Sequence, residues 1–230
     1  MNSQTKEKAV AFLHRQYLVL YLHAKKMIIR INFSTDSIRD LEIKNDNLAK
    51  QELSAALKLY NLNPLELIVI LAPELVFQKQ LSGPTAGEQE KEVQDFLNFV
   101  PFEKPLSRIY TIEGLSFLLA TNKQLLFSLK RMFEDEKHSV TAFVPLVIID
   151  KPYNTTQELN PEFGEYMIKK YEELKQLTVL EQLPPPVNFF HYDNSDNPKK
   201  NNKLPLLLIV LFGSLIILGI LIFLQNFKFT

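Results

Sequence analysis

The sequence predicts an α/β domain, with helices packed on a mixed sheet, followed by one membrane-spanning helix. Three observations lead there. Short runs rich in Val, Ile, Leu and Phe alternate with longer segments whose apolar residues recur every three or four positions. The order is strands, helix, strands, helix, strands, helix, strand, which is how helices come to be layered on a sheet. A single uncharged run, Leu204 to Leu224 (LPLLLIVLFGSLIILGILIFL), stands apart from everything before it.

The elements follow in chain order. Residues 1–16 read as an N-terminal segment, polar from Met1 to Ala9. Tyr17 to His23 is a continuous apolar run. Met27 to Phe33 alternates Ile29, Ile31 and Phe33 against Arg30 and Asn32, so the two runs predict a β-hairpin, and Ile38 to Ile43 a third strand. From Asn47 to Asn61 a helix puts Ala49, Leu53, Ala56, Leu57 and Tyr60 on one face, and Asn63-Pro64 stops it. Glu66 to Ala72 (ELIVILA) has the unbroken apolar character of a central strand, and Leu75 to Leu81 is a further strand. Thr85 and Glu88 form a capping box for a helix that buries Val93, Phe96, Leu97 and Val100 and ends at Pro101.

Arg108 to Glu113 and Leu115 to Ala120 flank Gly114, which predicts a second hairpin. Thr121 and Gln124 suggest another capping box, ahead of a helix that buries Leu125, Leu126, Leu129, Met132 and Phe133. Ser139 to Ile149 is the last strong strand signal. Asn160, with Pro161 at the first helical position, opens a helix to Leu177. The domain thus spans 17–182. A linker, 183–203, begins with Pro184-Pro185-Pro186 and turns polar.

Leu204 to Leu224 would be about 31 Å long as a helix, close to the thickness of a hydrocarbon core. Lys199, Lys200 and Lys203 precede it and only Lys228 follows, so the preference of basic residues for the cytoplasmic side puts the N-terminal domain in the cytoplasm. Residues 225–230 form a short external tail.

Composition narrows the chemistry. The chain has 26 basic and 26 acidic residues and no net charge, which gives no footprint for nucleic acid. It has no cysteine, which excludes disulfides, thiolate metal sites and cysteine nucleophiles. His14, His23, His138 and His191 are scattered without ligand spacing; His23 reads as a strand end and His138 as part of a charged turn. Gly83 and Gly87 are followed by Glu88 and Gln89 where a phosphate loop needs Lys and Ser or Thr. Asn154-Thr155-Thr156 matches a glycosylation sequon, a pattern short enough to arise by chance. No catalytic grouping, cofactor or metal is expected.

An ordered set of segments goes beyond pattern. LIVILAP (Leu67 to Pro73) and LVFQKQL (Leu75 to Leu81) are followed by EVQDFLNFVPFE (Glu92 to Glu103). After a hairpin come FLLATNKQLLFSLKRMF (Phe117 to Phe133) and SVTAFVPLVI (Ser139 to Ile148). This resembles the first half of the actin-like proteins of type IV pilus assembly (PilM) and the cytoplasmic domain of the type II secretion platform protein L. In that family a strand ending in Pro leads to a Val-Phe strand, a glutamate-rich helix closes in Ile/Val-Pro-Phe, and a hairpin follows whose second strand carries Ala shortly before a lysine-containing helix. Val76-Phe77, Val100-Pro101-Phe102, Ala120 and Lys123 match those points over roughly Tyr17 to Ile149.

The resemblance implies an actin-like (ribonuclease H-like) partial domain at the inner, cytoplasmic membrane. It would act there as a non-enzymatic scaffold whose partners are the membrane and other pilus or secretion platform proteins. A homo-oligomer is a further partner to test. Family members that bind ATP open with a hairpin turn bearing Gly and Asp; here Tyr21 to Lys26 has neither, and the second half of the fold is not found. Two other functions compete, a generic tail-anchored adaptor and a membrane-tethered nucleotide-dependent switch. Val187-Asn188-Phe189-Phe190 resembles the short Ile-Asn-Leu-Leu-Pro segment by which a separate membrane protein (PilN) engages the actin-like protein, with His191 in place of the Pro. It is expected to dock on the chain's own domain or on a copy of it.

Overall fold

The computed structural model describes residues 6–83, 85–149 and 158–180. The expected linker, the Val187–Phe190 segment, the lysines at 199, 200 and 203, the anchor between Leu204 and Leu224, the tail and the sequon lie outside the described residues. Among the described residues no helix is long and apolar enough to cross a membrane.

A five-stranded mixed sheet forms the frame. Its central strand is β1 (Glu7–Leu13), with β2 (Tyr17–Leu22) antiparallel on one side and β6 (Leu65–Leu71) parallel on the other. β3 (Met27–Asn32) continues the antiparallel meander, and β10 (Ser139–Pro145) pairs parallel to β6, so the order is β10-β6-β1-β2-β3. β1 and β6 are buried on both faces, which explains the unbroken apolar run in β6. At the sheet edge β3 is buried on alternate residues only, as its alternating sequence requires.

Three layers result. α1 (Asp46–Leu59) and α3 (Lys123–Asp135) cover one face, where Leu53, Leu57, Leu129, Met132 and Phe133 share a core with Leu18, Leu20, Ile29, Leu67 and Val69. α4 (Pro161–Lys169) and α5 (Tyr171–Gln176) cover the other, where Phe163, Met167, Tyr171 and Leu174 meet Val10, Phe12, Ile68, Ile70 and Val144. Between β6 and α3 the chain builds a second sheet, in the order β7 (Phe77–Gln80), β9 (Leu115–Asn122), β8 (Pro105–Ile112). α2 (Ala86–Phe99) packs on it through Val93 and Phe96 against Leu118 and Ala120. The β8–β9 turn at Glu113-Gly114 has φ of 49° and 78°, the left-handed pair that a two-residue hairpin prefers.

The structure differs from the sequence expectation in several places, and the last expected strand ends at Pro145, ahead of a 3₁₀ turn at Leu146–Ile148. Residues 1–16 are not an N-terminal segment ahead of the domain, because Glu7–Leu13 is its central strand; a polar start and the small Ala9 and Ala11 dilute the apolar signal. Ile38 to Ile43 does not join the main sheet. It folds back as a small hairpin of β4 (Ile38–Arg39) and β5 (Glu42–Ile43), with Asp40 and Leu41 left-handed at 52° and 64°. The cap of α3 is Asn122 rather than Thr121. Asn122 accepts from the N–H groups of Gln124 and Leu125 and donates to the Leu41 carbonyl, while the Thr121 hydroxyl donates to the Leu75 carbonyl. The helix expected to Leu177 breaks at Lys170, which sets Tyr171 to meet the Thr141 hydroxyl at 3.2 Å. The Thr85–Glu88 capping box is present as expected.

After α5 the chain runs as a strap along the outer edge of β10. The Val179 N–H donates to the Phe143 carbonyl at 2.8 Å, and the Phe143 N–H donates to the Thr178 hydroxyl at 3.1 Å. From the second sheet, Tyr110 donates its hydroxyl to the Leu177 carbonyl at 2.9 Å and Arg108 donates to the Thr178 carbonyl. Burial pushes the Tyr110 phenol well above its ordinary value, so it stays a donor.

Two residues show how tightly the layers are set. An added Cβ at Gly164 of α4 would lie 2.4 Å from two ring atoms of Tyr21, so only glycine lets the helix approach β2 this closely. Tyr21 donates its hydroxyl to Glu165, and burial followed by that contact raises its pKa to about 12. Gly164→Ala is expected to cost about 1–3 kcal/mol by overpacking, read as a fall of a few degrees in melting temperature.

His138 does not sit in an exposed charged turn. It is 4% exposed, and its Nδ1 accepts the Leu65 N–H at 3.0 Å. An accepting Nδ1 is unprotonated, and burial holds the ring's pKa below its ordinary 6.5. The unfolded chain therefore binds the proton first. The contribution of His138 to stability is complete above 6.5 and is lost as pH falls through the lower folded value. Melting temperature should drop between about pH 7.5 and about pH 5.5, with a shallower drop in His138→Asn, whose side-chain carbonyl also accepts but does not titrate.

Candidate functional site

In open sheets with parallel strands, ligands gather beyond the carboxyl ends of the strands where the strand order reverses. Here that place lies beside β1, which has β2 on one side and β6 on the other. Two short connections meet there. The turn His14-Arg15-Gln16 joins β1 to β2, and Pro73-Glu74-Leu75 forms one turn of 3₁₀-helix after β6. The Ala72 N–H donates to the Leu13 carbonyl at 3.0 Å, which locks the two connections together.

The side chains of these connections form a line across the sheet. His14 Nδ1 lies 2.9 Å from Glu74 Oε1. The imidazole stacks on Tyr17, with centroids 4.2 Å apart and planes 16° apart, and it meets the Phe12 ring edge-on at 4.5 Å. The Arg30 guanidinium lies 3.7 Å from the centre of the Tyr17 ring, and its Nε donates to Asn32 Oδ1 at 3.0 Å. The series Glu74, His14, Tyr17, Arg30, Asn32 thus runs from the switch point to the free edge of the sheet. His14 is 8% exposed, and its Nε2 is buried with no partner among the described residues.

The chemistry of this set is limited. It holds one imidazole and one carboxylate, and among the described residues no three potential ligands come together around a metal position. The turn after β1, His14-Arg15-Gln16, contains no glycine, and the Glu74 carboxylate stands against it through His14. The sequence places the corresponding turn at Tyr21 to Lys26. The structure identifies that stretch as the end of β2 and the β2–β3 connection, and the turn that follows the central strand is His14 to Gln16. Neither contains Gly or Asp.

Sequence reasoning singled out none of this line. His14 stands alone in the chain, and Tyr17, Arg30 and Glu74 read as ordinary strand and loop residues; only the fold brings them together. His23 follows β2 and faces Glu165 at 3.2 Å. The loop with Gly83 is a structural junction. An added Cβ there would lie 2.8 Å from the Gln89 nitrogen, and Ser82 donates its N–H and hydroxyl to Glu92, whose carboxyl is held below the usual range first by that N–H.

No protein-family model matches the sequence, and no curated protein does. Among solved structures the chain is similar to the PilM–PilN type IV pilus biogenesis complex, at 12% identity and a TM-score of 0.39 over 60% of this chain and 46% of that one. It is similar to the cytoplasmic domain of EpsL, an inner membrane component of the type II secretion system of Vibrio cholerae, at 12% identity and a TM-score of 0.42 over 64% and 60%. A protein of actin-like ATPase fold and unknown function from Bacteroides thetaiotaomicron matches at 8% identity and a TM-score of 0.36 over 62% and 53%. The chain spans about half the length of the structures it matches. The first two belong to the two groups named in the sequence resemblance.

If Tyr17 is the platform that orients Arg30, the two residues are energetically coupled. A double-mutant cycle with Tyr17→Leu and Arg30→Ala should return about 0.5–1 kcal/mol of coupling in thermal or denaturant unfolding, the size of an exposed cation–π contact. Additive effects would show that the stacking has no energetic content.

Proposed function

We propose that the chain is a non-enzymatic, membrane-anchored scaffold of a type IV pilus or type II secretion-like assembly platform, and that its α/β domain binds other platform proteins. The observation that carries the non-enzymatic part is the His14–Glu74 pair. It fills the turn beside the central strand with a carboxylate and a stacked imidazole, where a nucleotide-binding relative needs glycine N–H groups. The platform part is supported by the ordered match at Val76-Phe77, Val100-Pro101-Phe102, Ala120 and Lys123, set on a mixed sheet with the second sheet inserted between β6 and α3. The anchor and its orientation are proposed from Leu204 to Leu224 and from Lys199, Lys200 and Lys203. Val187 to Phe190 is proposed as the part of the tether that docks on the domain or on a copy of it.

Two measurements test this. Calorimetry with Mg-ATP on the full chain in detergent micelles should give no binding heat; micromolar affinity would remove the scaffold reading in favour of a nucleotide-dependent switch. Crosslinking in intact membranes followed by mass spectrometry should recover pilus or secretion platform proteins. Recovery confined to unrelated partners would leave a generic anchored adaptor.

A further inference from the structure

The line of side chains described above ends at a strand edge that nothing covers among the described residues. β3 is the terminal strand of the five-stranded sheet. The Phe33 N–H donates to the Gln16 carbonyl at 2.7 Å, which makes Gln16 and Phe33 a bonded pair. Antiparallel ladders alternate, so the next bonded pairs inward are Leu18 with Ile31, Leu20 with Ile29 and Leu22 with Met27. The intervening residues Ile28, Arg30 and Asn32 therefore turn their N–H and C=O groups outward, and all three are exposed. A row of unpaired backbone groups of this kind is a template for another strand.

The edge also has a sign. From Lys8 to Thr35 the sequence contains no acidic residue, while Arg15, Lys25, Lys26 and Arg30 lie in the same span. The carboxylates that reach the meander from elsewhere are already engaged. Glu7 accepts from the Ala24 N–H, Glu52 from the Ser34 N–H and the Ser37 hydroxyl, Glu74 faces His14, and Glu165 accepts from Tyr21. Arg30 has no carboxylate partner among the described residues. Its guanidinium lies against Tyr17 and is bonded at Nε only, so its two terminal nitrogens are pre-oriented donors at the centre of the open edge.

We propose that the β3 edge is a docking site for an extended acidic segment of another protein, which adds as a sixth strand and sets a carboxylate against Arg30. Main-chain bonds to Ile28, Arg30 and Asn32 supply the register, and the guanidinium supplies the selectivity. A second copy of this chain is a poorer occupant. Full antiparallel overlap of two β3 edges puts Arg30 opposite Arg30, and like charges directly opposed destabilise a strand pair. The inference does not depend on which assembly the domain serves.

The test uses the full chain in detergent micelles and a synthetic peptide, acetyl-Thr-Val-Glu-Ile-Glu-Val-Thr-amide, with Gln and Lys versions of its two Glu positions. Hydrogen exchange at the Ile28, Arg30 and Asn32 amides should be fast without peptide and slow by about tenfold or more with the Glu peptide, while the Lys peptide gives no protection. Arg30→Gln, which keeps the strand, should weaken binding of the Glu peptide by about fivefold or more, and wild type should show a similar loss with the Gln peptide. Four results would overturn the proposal: no protection by the Glu peptide, equal protection by the Glu and Lys peptides, protection without peptide that grows with protein concentration, or protection without peptide at every concentration. The third would assign the edge to a second copy and the fourth to a segment of this chain outside the described residues.

Discussion

The structure depends on the pairing of β1 with both its neighbours. That strand takes an antiparallel partner on one side and a parallel partner on the other, and it is buried on both faces. Burial on two faces forces small or purely apolar residues onto it. The parallel pairing forces a long crossover, because a parallel strand cannot be reached by a tight turn. The crossover from β3 to β6 supplies α1, and the one from β6 to β10 supplies the whole second sheet together with α2 and α3. The helices on one face, α1 and α3, thus follow from how one heptapeptide is paired.

The same pairing explains which parts of the fold were legible in the sequence. Elements whose signal is local could be read. The α3 stripe, the Thr85–Glu88 box, the Gly114 turn and the ELIVILA strand all stand close to where the sequence puts them. β1 could not, because its polar start and the small Ala9 and Ala11 leave little apolar signal. The Asn122 cap depends on a carbonyl at Leu41, and the neutrality of His138 depends on an N–H at Leu65. Both partners are far away in the chain.

The candidate site was the least legible part. Its members, at positions 14, 17, 30 and 74, come from two turns and two strands and carry no motif, since stacking and pairing need proximity rather than spacing. The family resemblance pointed to Tyr21 to Lys26, one hairpin after the connection that follows the central strand. What stands at that connection is a rigid aromatic and charged row that joins the interior of the sheet to its rim. A charge at the centre of an edge strand is one of the devices by which sheets limit unwanted pairing. At β3 the charge filters what can pair there, and the backbone sets how.

The strap after α5 bears on how this domain would respond to mechanical force. Thr178 and Val179 are 1% and 2% exposed, and they are the last buried residues before the described chain stops at residue 180. Tension that reaches the domain at residue 180 meets them first. They are fastened both to β10 in the main sheet and, through Arg108 and Tyr110, to β8 in the second. A pull is therefore divided between two sheets instead of peeling α5 off the core. The first bonds to yield would be those between the strap and its two supports, so the domain's mechanical fuse would be a three-residue clasp, with the central sheet shielded behind it.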